Sequence, residues 1–596
     1  MQTEYHDATH QLVAAAAEAV EAARSTLGDG DDLDGPLVVH PGDHLDHPLE
    51  VVTEDGRSLL LEGAVGAEVP LGYHTWNAPE GPRRLVVSPG RCHLPPDLRL
   101  GGWVVQVYSA RSRSSWGIGD LADLRRFGEW AAQRGAGFAL INPINAAVPT
   151  APIEPSPYLP TSRRWRNPLY LRVEEVPGAA AALGTDLEKA TAAGRRLNGN
   201  RRIDRDAVAA IKLGALRRLH DAGPPAAGFA GWRAAAGDDL ERYATFCVIA
   251  EDHGGDFRAW PAELQAGDGA AATAVRVRAA ARVEFHAWLQ WLIDQQLAQA
   301  AAALPLLTDL PIGVDPGGAD VWADPQLFAR DFSVGAPPDE FNTLGQDWAQ
   351  PPWNPRELRS RGYAPLVSVL RAGFRHAMGL RIDHVMGLFR LFWIPRGADP
   401  SRGVYVRYPS AEILDILALE SARAGAVVVG EDLGTVEPGV REEMAARDIL
   451  GSVLLYFTDA DPSGLPRRAL STVTTHDLPT LAGLWSGADS TEVRSIGVPV
   501  NDAAVAEVRG RVARVAGGAG SAVETVIVNA HRALAASPSM LVAAALEDAA
   551  AIPERPNVPG TTSVARPNWS QALVPPLDDL LASPLAERVA QALRRD

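Results

Sequence analysis

Three acidic segments in the sequence carry the residue types that cleavage of a glycosidic bond requires. They are Arg-Ile-Asp-His at 381–384, Gly-Glu-Asp at 430–432 and Thr-His-Asp at 475–477. A retaining mechanism needs an ionised carboxylate to attack the anomeric carbon and a protonated carboxyl to donate to the leaving oxygen, about 5–5.5 Å apart. Each segment follows a short apolar run, so the three could meet at one end of a sheet.

The first two segments supply the reacting pair. Arg381 precedes Asp383 by two positions, and on an extended strand both side chains point to the same face, where the guanidinium can keep the carboxylate ionised. Asp383 is therefore the predicted nucleophile. Glu431, partly buried beside another carboxylate, is the predicted acid and later base, because such surroundings raise the pKa of a carboxyl group.

The remaining polar residues of these segments are predicted to bind the sugar. Asp477 could contact hydroxyls near the reacting ring, with contacts that tighten as positive charge develops. His384 and His476 could donate hydrogen bonds to the same ring, and Arg381 lies beside it.

Each segment alone also has a purely structural explanation. An Arg-x-Asp pair at a strand end is often a buried ion pair, Glu431-Asp432 could cap a helix, and Thr475-His476-Asp477 could cap a strand. Three such segments at the same end of their strands favour function over these alternatives.

The elements that would position these groups are predicted from eight short apolar runs. Strands covered on both faces need such runs, and a closed parallel sheet provides that cover. The predicted strands span residues 103–108, 137–141, 306–314, 379–382, 426–430, 452–457, 472–475 and 540–546. We therefore expect an α/β fold, a (β/α)8 TIM barrel, with catalytic groups at the carboxyl ends of its strands.

The rest of the chain surrounds this barrel. An Ala-rich helix followed by short strands at 49–52, 58–61 and 84–87 predicts a small, sandwich-like β-rich domain over residues 1–96. Residues 97–596 would form the catalytic barrel. Helical text at 207–220 and 275–301 predicts a mostly helical insertion at about 170–300 over the barrel mouth, and about 330–360 is a predicted lid segment.

Composition excludes several other function classes. The chain has 596 residues, and 56 Lys and Arg against 73 Asp and Glu give a net charge of −17, which would repel nucleic acids and anionic membranes. With two cysteines and neither a secretory signal nor a long apolar run, the expected location is cytoplasmic. His40, His44 and His47 lie close together, but in a turn-rich segment without ligand spacing. No metal and no cofactor are predicted.

The sequence also resembles the amylomaltase family of 4-alpha-glucanotransferases, or disproportionating enzymes, in the subgroup with an N-terminal β-rich extension. Segments similar to the family's motifs occur in family order at 156–158, 167–170, 309–312, 320–323, 335–339, 345–346, 381–384, 430–434, 476–477, 557 and 559–561. The resemblance runs from about residue 101 to near the C-terminus.

What the resemblance implies is transfer of an α-1,4-glucan segment from a maltodextrin to glucose or another maltodextrin. It implies Asp383 as nucleophile, Glu431 as acid/base and Asp477 as transition-state stabiliser. It further implies a lid loop at 335–341 beside the acceptor site, and substrate contacts at Tyr158, Asn167, Trp322, Asp339, Phe341 and Trp348. An α-glucan hydrolase on the same scaffold and a non-catalytic glucan-binding protein are the alternatives, and the oligomeric state stays open.

Overall fold

A computed structural model describes residues 1–6, 12–28, 35–79, 81–223, 227–338, 345–459, 461–518, 520–562 and 564–595. Its strands are β1 Glu4–His6, β2 Leu12–Ala14, β3 Leu37–Val39, β4 Leu49–Val52, β5 Ser58–Leu61, β6 Gly72–Ala78, β7 Gly81–Val87, β8 Leu100–Val105, β9 Phe138–Ile141, β10 Asn145–Ala146, β11 Ser162–Arg166, β12 Leu306–Leu310, β13 Phe332–Ala336, β14 Gln346–Gln350, β15 Gly379–Ile382, β16 Arg390–Pro395, β17 Val404–Arg407, β18 Val427–Gly430, β19 Gly451–Leu454, β20 Ala469–Thr472 and β21 Leu541–Ala545.

The helices alternate with the barrel strands and fill the predicted insertion. They are α1 Ala17–Leu27, α2 Leu121–Ala132, α3 Ala179–Leu183, α4 Thr185–Arg196, α5 Arg205–Ala222, α6 Phe229–His253, α7 Ala270–Arg278, α8 Ala280–Ala303, α9 Ala319–Ala323, α10 Pro355–Ser360, α11 Ala364–Phe374, α12 Ser410–Ala424, α13 Val440–Ala446, α14 Leu481–Ser486, α15 Ala488–Ser495, α16 Asp502–Ala516, α17 Val523–Ala535, α18 Leu546–Ala549, α19 Leu577–Leu580 and α20 Pro584–Ala592. Among the described residues, no helix is long and apolar enough to cross a membrane.

The central sheet has eight strands in the order β18-β15-β12-β9-β8-β21-β20-β19. Its assigned pairs, such as β8 with β9 and β15 with β18, are parallel. Every residue of β9, β15, β18 and β20 is buried, as strands covered on both faces require. The fold is a (β/α)8 barrel, and this prediction is confirmed.

The predicted bounds of the seventh barrel strand are wrong. The sequence places it at 472–475, whereas β20 ends at Thr472. Two hydroxyls bond to local backbone at this point: the Thr472 hydroxyl donates to the Thr474 carbonyl at 3.0 Å, and the Thr474 hydroxyl donates to the Pro479 carbonyl at 2.9 Å. These hydroxyls favour a turn, so the strand lies three residues earlier than its threonines suggest.

Contacts divide the described chain into two compact units. The first comprises Met1–Pro96, Leu310–Pro316 and Asp324–Gly451. It contains a five-stranded sheet in the order β3-β7-β6-β4-β5 and a four-stranded antiparallel sheet in the order β14-β13-β16-β17. The predicted strands at 49–52 and 58–61 are confirmed as β4 and β5, which pair antiparallel in the five-stranded sheet.

The second unit comprises Asp97–Asp309, Gly317–Ala323 and Ser452–Asp596. It includes the insertion, which is helical as predicted. The helical sequence at 275–301 lies on two helices, because Ala279 leaves the helical conformation at φ −107° and ψ 31° and separates α7 from α8. A continuous core of buried side chains, Trp103 and Phe127 among them, supports the strands of this unit.

Candidate active site

The two carboxylates predicted to react lie at the ends of neighbouring strands of the first unit. Parallel pairing sets Ile382 opposite Gly430, so Asp383 and Glu431 are the next residues along their two strands. The Glu431 amide donates to the Ile382 carbonyl at 3.0 Å. A Cβ on Gly430 would lie 2.7 Å from Met444 Cε and 2.8 Å from Val385 Cγ2, so these two side chains fill the space next to Gly430.

The surroundings of the two carboxyl groups differ. The buried Arg381 guanidinium lies 3.3 Å from Asp383 Oδ1. Glu431 accepts hydrogen bonds from the His384 amide at 3.0 Å and the Leu433 amide at 2.7 Å. Burial raises the pKa of the Glu431 carboxyl, and the charge of Arg381 and the two amides oppose this shift without cancelling it. One carboxylate is thus paired with a cation while the other is biased toward its protonated form.

His384 and Trp348 border this pair. Burial, aided by the charge of Arg390, lowers the pKa of His384 to about 4, so the imidazole is neutral near pH 7. The half-buried Trp348 indole meets the His384 ring edge to face, with centroids 5.2 Å apart, and donates to Gln346 Oε1 at 3.2 Å. A neutral imidazole and an indole face suit a sugar ring, which offers hydroxyls and apolar C–H groups.

The third carboxylate, Asp477, belongs to the second unit and is held by the segment after α18. Its side chain is 42% exposed. Asn557 Nδ2 donates to Asp477 Oδ1 at 2.7 Å, and the Asn557 amide donates to the His476 carbonyl at 3.1 Å. The Arg555 guanidinium donates to the Asp477 carbonyl at 2.7 Å and pairs with Asp489. The sequence marks Asn557 only as part of a motif, and it offers no signal for Arg555.

Three rings of the second unit form an aromatic group beside Asp477. Tyr158, His476 and Trp569 lie with their centroids 4.9 to 5.3 Å apart. The Tyr158 hydroxyl donates to Asp309 Oδ2 at 2.6 Å and lies 3.4 Å from His476 Nδ1. The sequence motifs include Tyr158 and His476 but not Trp569, a lone tryptophan without a distinguishing pattern around it.

The other predicted contacts have different surroundings. Trp322 is fully buried, where its indole donates to the Leu264 carbonyl at 2.8 Å. It has no exposed face for a sugar, so it is not a direct substrate contact. Asn167 caps the turn at Pro168–Tyr170 through its side chain. Asp339 and Phe341 lie outside the described residues.

The histidines of the N-terminal region form no metal site in the described structure. Within the described ranges, no group of three or more His, Cys, Asp or Glu side chains could hold a metal ion. His40 instead lies 3.2 Å from both Asp43 and Asp415. This histidine joins the N-terminal region to α12.

Comparison with known proteins agrees with the motifs. Residues 105–574 match a family described as 4-alpha-glucanotransferase. A 4-alpha-glucanotransferase of Mycobacterium tuberculosis is 42% identical over 591 residues, covering 89% of this chain and 80% of the relative. One from Haemophilus influenzae is 34% identical over 498 residues, covering 75% and 71%.

The fold comparison agrees as well. The crystal structure of an amylomaltase from Corynebacterium glutamicum matches with a TM-score of 0.88 and 31% identity, covering 100% of this chain and 98% of that one. Sequence and structure thus lead to the same group of enzymes over nearly the whole length. The chain belongs to the 4-alpha-glucanotransferase family, the amylomaltases.

Proposed function

We propose that this chain is a retaining 4-alpha-glucanotransferase in which Asp383 is the nucleophile and Glu431 the acid/base. The in-register pairing of β15 with β18 carries the proposal, because parallel strands lie about 4.8 Å apart. Two carboxyl groups on adjacent strand ends therefore suit the separation of about 5–5.5 Å that retention requires.

The reaction follows from these two roles. A carboxylate oxygen of Asp383 attacks the anomeric carbon while the bond to the leaving oxygen breaks and Glu431 gives that oxygen its proton. A covalent glycosyl-enzyme remains. Glu431, now ionised, takes the proton of the acceptor 4-hydroxyl as that oxygen attacks the anomeric carbon and displaces Asp383. The raised pKa of Glu431 supports this role, since the first step needs its protonated form.

Asp477 is proposed to stabilise the positive charge that develops on the sugar ring. The hydrogen bond from Asn557 supports this role because it orients Asp477 Oδ1. Oδ2 lies 3.5 Å from His476 Nε2 on a side chain that is 42% exposed, so a sugar hydroxyl can reach it. Tyr158, His476 and Trp569 are proposed as substrate contacts of the second unit, and Arg381 and His384 as substrate contacts of the first.

Transfer and hydrolysis differ only in which hydroxyl attacks the glycosyl-enzyme. We propose a maltodextrin donor and glucose or a maltooligosaccharide as acceptor, with Asp339, Phe341 and Trp348 as acceptor-side contacts and Asn167 as a further substrate contact. The lid at about 330–360 would exclude water. We also propose a cytoplasmic location, where such glucans would be the substrate.

Incubation of the purified protein with maltotriose tests this function. We expect glucose together with oligosaccharides longer than three units, at a constant number of reducing ends. Asp383→Asn should abolish the products, whereas Asp399→Asn, which alters an exposed turn cap, should not. A rising number of reducing ends with only shorter products would establish the hydrolase instead, and an unchanged ladder from Asp383→Asn would overturn the mechanism.

A further inference from the structure

The N-terminal segment contacts the loop that follows the proposed acid/base. Gln2 Oε1 accepts a hydrogen bond from Arg390 at 2.6 Å, and Gln2 Nε2 donates to Glu437 Oε1 at 3.1 Å. Arg407 pairs with the same Glu437 oxygen at 2.5 Å, and Arg390 Nε lies 3.4 Å from its other oxygen. We call these four residues, Gln2, Arg390, Arg407 and Glu437, the N-terminal clamp.

The residues around the clamp are packed against β16 and β17. The Gln2 amide donates to the Tyr405 carbonyl at 2.9 Å, which adds the N-terminal residues to the edge of β17. Tyr5 is buried against Phe392 and Tyr405, with ring centroids 5.7 and 5.2 Å away. The Arg390 guanidinium lies 4.0 Å from the Tyr405 ring centroid and is itself buried. The side chain of Gln2 is therefore presented from a packed surface rather than from a free end.

The loop between β18 and α13 connects the clamp to Glu431. At its start, the Leu433 amide donates to Glu431 Oε1 at 2.7 Å, and Asp432 is held by Arg441 at 2.7 Å. Residues Leu433 to Pro438 of this loop form neither a strand nor a helix. Glu437 is its second point of attachment, so the loop conformation that presents the Leu433 amide depends on both ends.

We propose that the N-terminal clamp positions Glu431 for proton donation, with Gln2 and Glu437 as positioning residues that act through the loop at 431–439. The inference rests on the proposed role of Glu431. It gives the N-terminal extension a task in the reaction: residues far away in sequence close the loop that holds the acid in place. None of the clamp residues needs to contact the sugar.

Three variants test the clamp. Gln2→Glu keeps an acceptor for Arg390 but places a second carboxylate 3.1 Å from Glu437. Glu437→Gln removes the charge that attracts Arg390 and Arg407. The double variant exchanges the amide and the carboxylate, so one hydrogen bond between the two positions can form again. Glu54→Gln is the matched control, because it breaks another ion pair of the N-terminal region, with Arg423, away from this loop.

Two glycosyl donors distinguish a misplaced acid from a general loss of activity. Maltotriose needs a proton on its leaving oxygen, whereas a maltosyl fluoride releases a good leaving group with little help from an acid. Misplacement of a catalytic group by about 1 Å can cost roughly a hundredfold. For each single variant we expect kcat/KM on maltotriose to fall by about tenfold. The kcat/KM for fluoride release should stay within about twofold of the wild-type value, because this constant reports the first step. The double variant should recover part of the loss, and Glu54→Gln should match the wild type on both donors.

The outcomes distinguish this inference from the proposed function. Equal losses on both donors, or no loss on either, would overturn the clamp, and unfolding temperatures identify variants whose losses come from instability. Glu431→Gln should lose activity on maltotriose and keep the initial burst of fluoride release, because the first step with the fluoride needs no acid, whereas the second step still needs the base. If it does not, the acid assignment itself fails, whatever the clamp variants show.

Discussion

Replacement of Arg381 by Met should affect both reacting carboxyl groups at once. The guanidinium lies 3.3 Å from Asp383 and is 9% exposed. Two unit charges about 4 Å apart at an effective dielectric of about 20 attract by roughly 4 kcal/mol, and removal of one partner of a buried pair costs about 3–5 kcal/mol. With the Asp383 carboxylate no longer held, we expect kcat/KM on maltotriose to fall by about a hundredfold.

The same variant should change the pH profile in a defined direction. Arg381 lowers the pKa of Glu431, so its removal raises that pKa further. Asp432, which raises the pKa, and the His384 and Leu433 amides, which lower it, stay in place. Because the protonated acid starts the reaction, the alkaline limb of kcat/KM should move to higher pH. Profiles on maltotriose at saturating acceptor measure both effects, and Arg371→Met, which loses a pair with Glu420, is the control. An alkaline limb that stays fixed, with kcat/KM within about threefold of wild type, would refute the assignment.

Three further predictions concern the second unit. Asn557→Ala removes the 2.7 Å hydrogen bond to Asp477, and initial rates on maltotriose should fall by about tenfold, since a hydrogen bond to a charged group contributes about 1.5–3 kcal/mol; an unchanged kcat would remove Asn557 from the site. Trp322→Ala should lower the free energy of unfolding in urea by about 3–5 kcal/mol because the indole is fully buried, while KM of the folded enzyme stays the same; a selective rise in KM would restore Trp322 as a contact. Burial raises the pKa of Asp548 to about 7, so the wild-type protein loses stability as pH rises from about 4 to 7. The free energy of unfolding of Asp548→Asn, measured by denaturant titration, should therefore rise relative to wild type between about pH 5 and pH 8. A difference in unfolding free energy that does not change with pH would contradict this.

The strands that precede Asp383 and Glu431 are among the elements that the sequence predicts best. Gly379–Ile382 is found with the predicted bounds, and Val427–Gly430 differs by one residue. Both are buried apolar runs, and burial on both faces selects such residues whatever surrounds them. Asp383 and Glu431 follow because each directly ends its strand.

Other features depend on contacts that local sequence does not contain. The break at Ala279 falls within Ala-rich text that has no Gly or Pro to indicate it. Trp322 and Trp348 both look like aromatic sugar contacts, yet only the second has an exposed face, since burial depends on which elements pack against each indole. Asn557 and Trp569 act through partners distant in sequence, so their positions become evident only in the folded chain.

Strand pairing and side-chain packing are expected to control different steps of the proposed reaction. The separation of Asp383 and Glu431 depends on backbone pairing between two adjacent strands, which side-chain changes in loops barely alter. In the proposed mechanism, the choice between water and a sugar hydroxyl as acceptor would depend instead on Trp348, which lies on β14, and on the proposed lid at about 330–360. Substitutions in this region should therefore change the ratio of transfer to hydrolysis while glycosyl-enzyme formation continues, because the first step and the second depend on different parts of the fold.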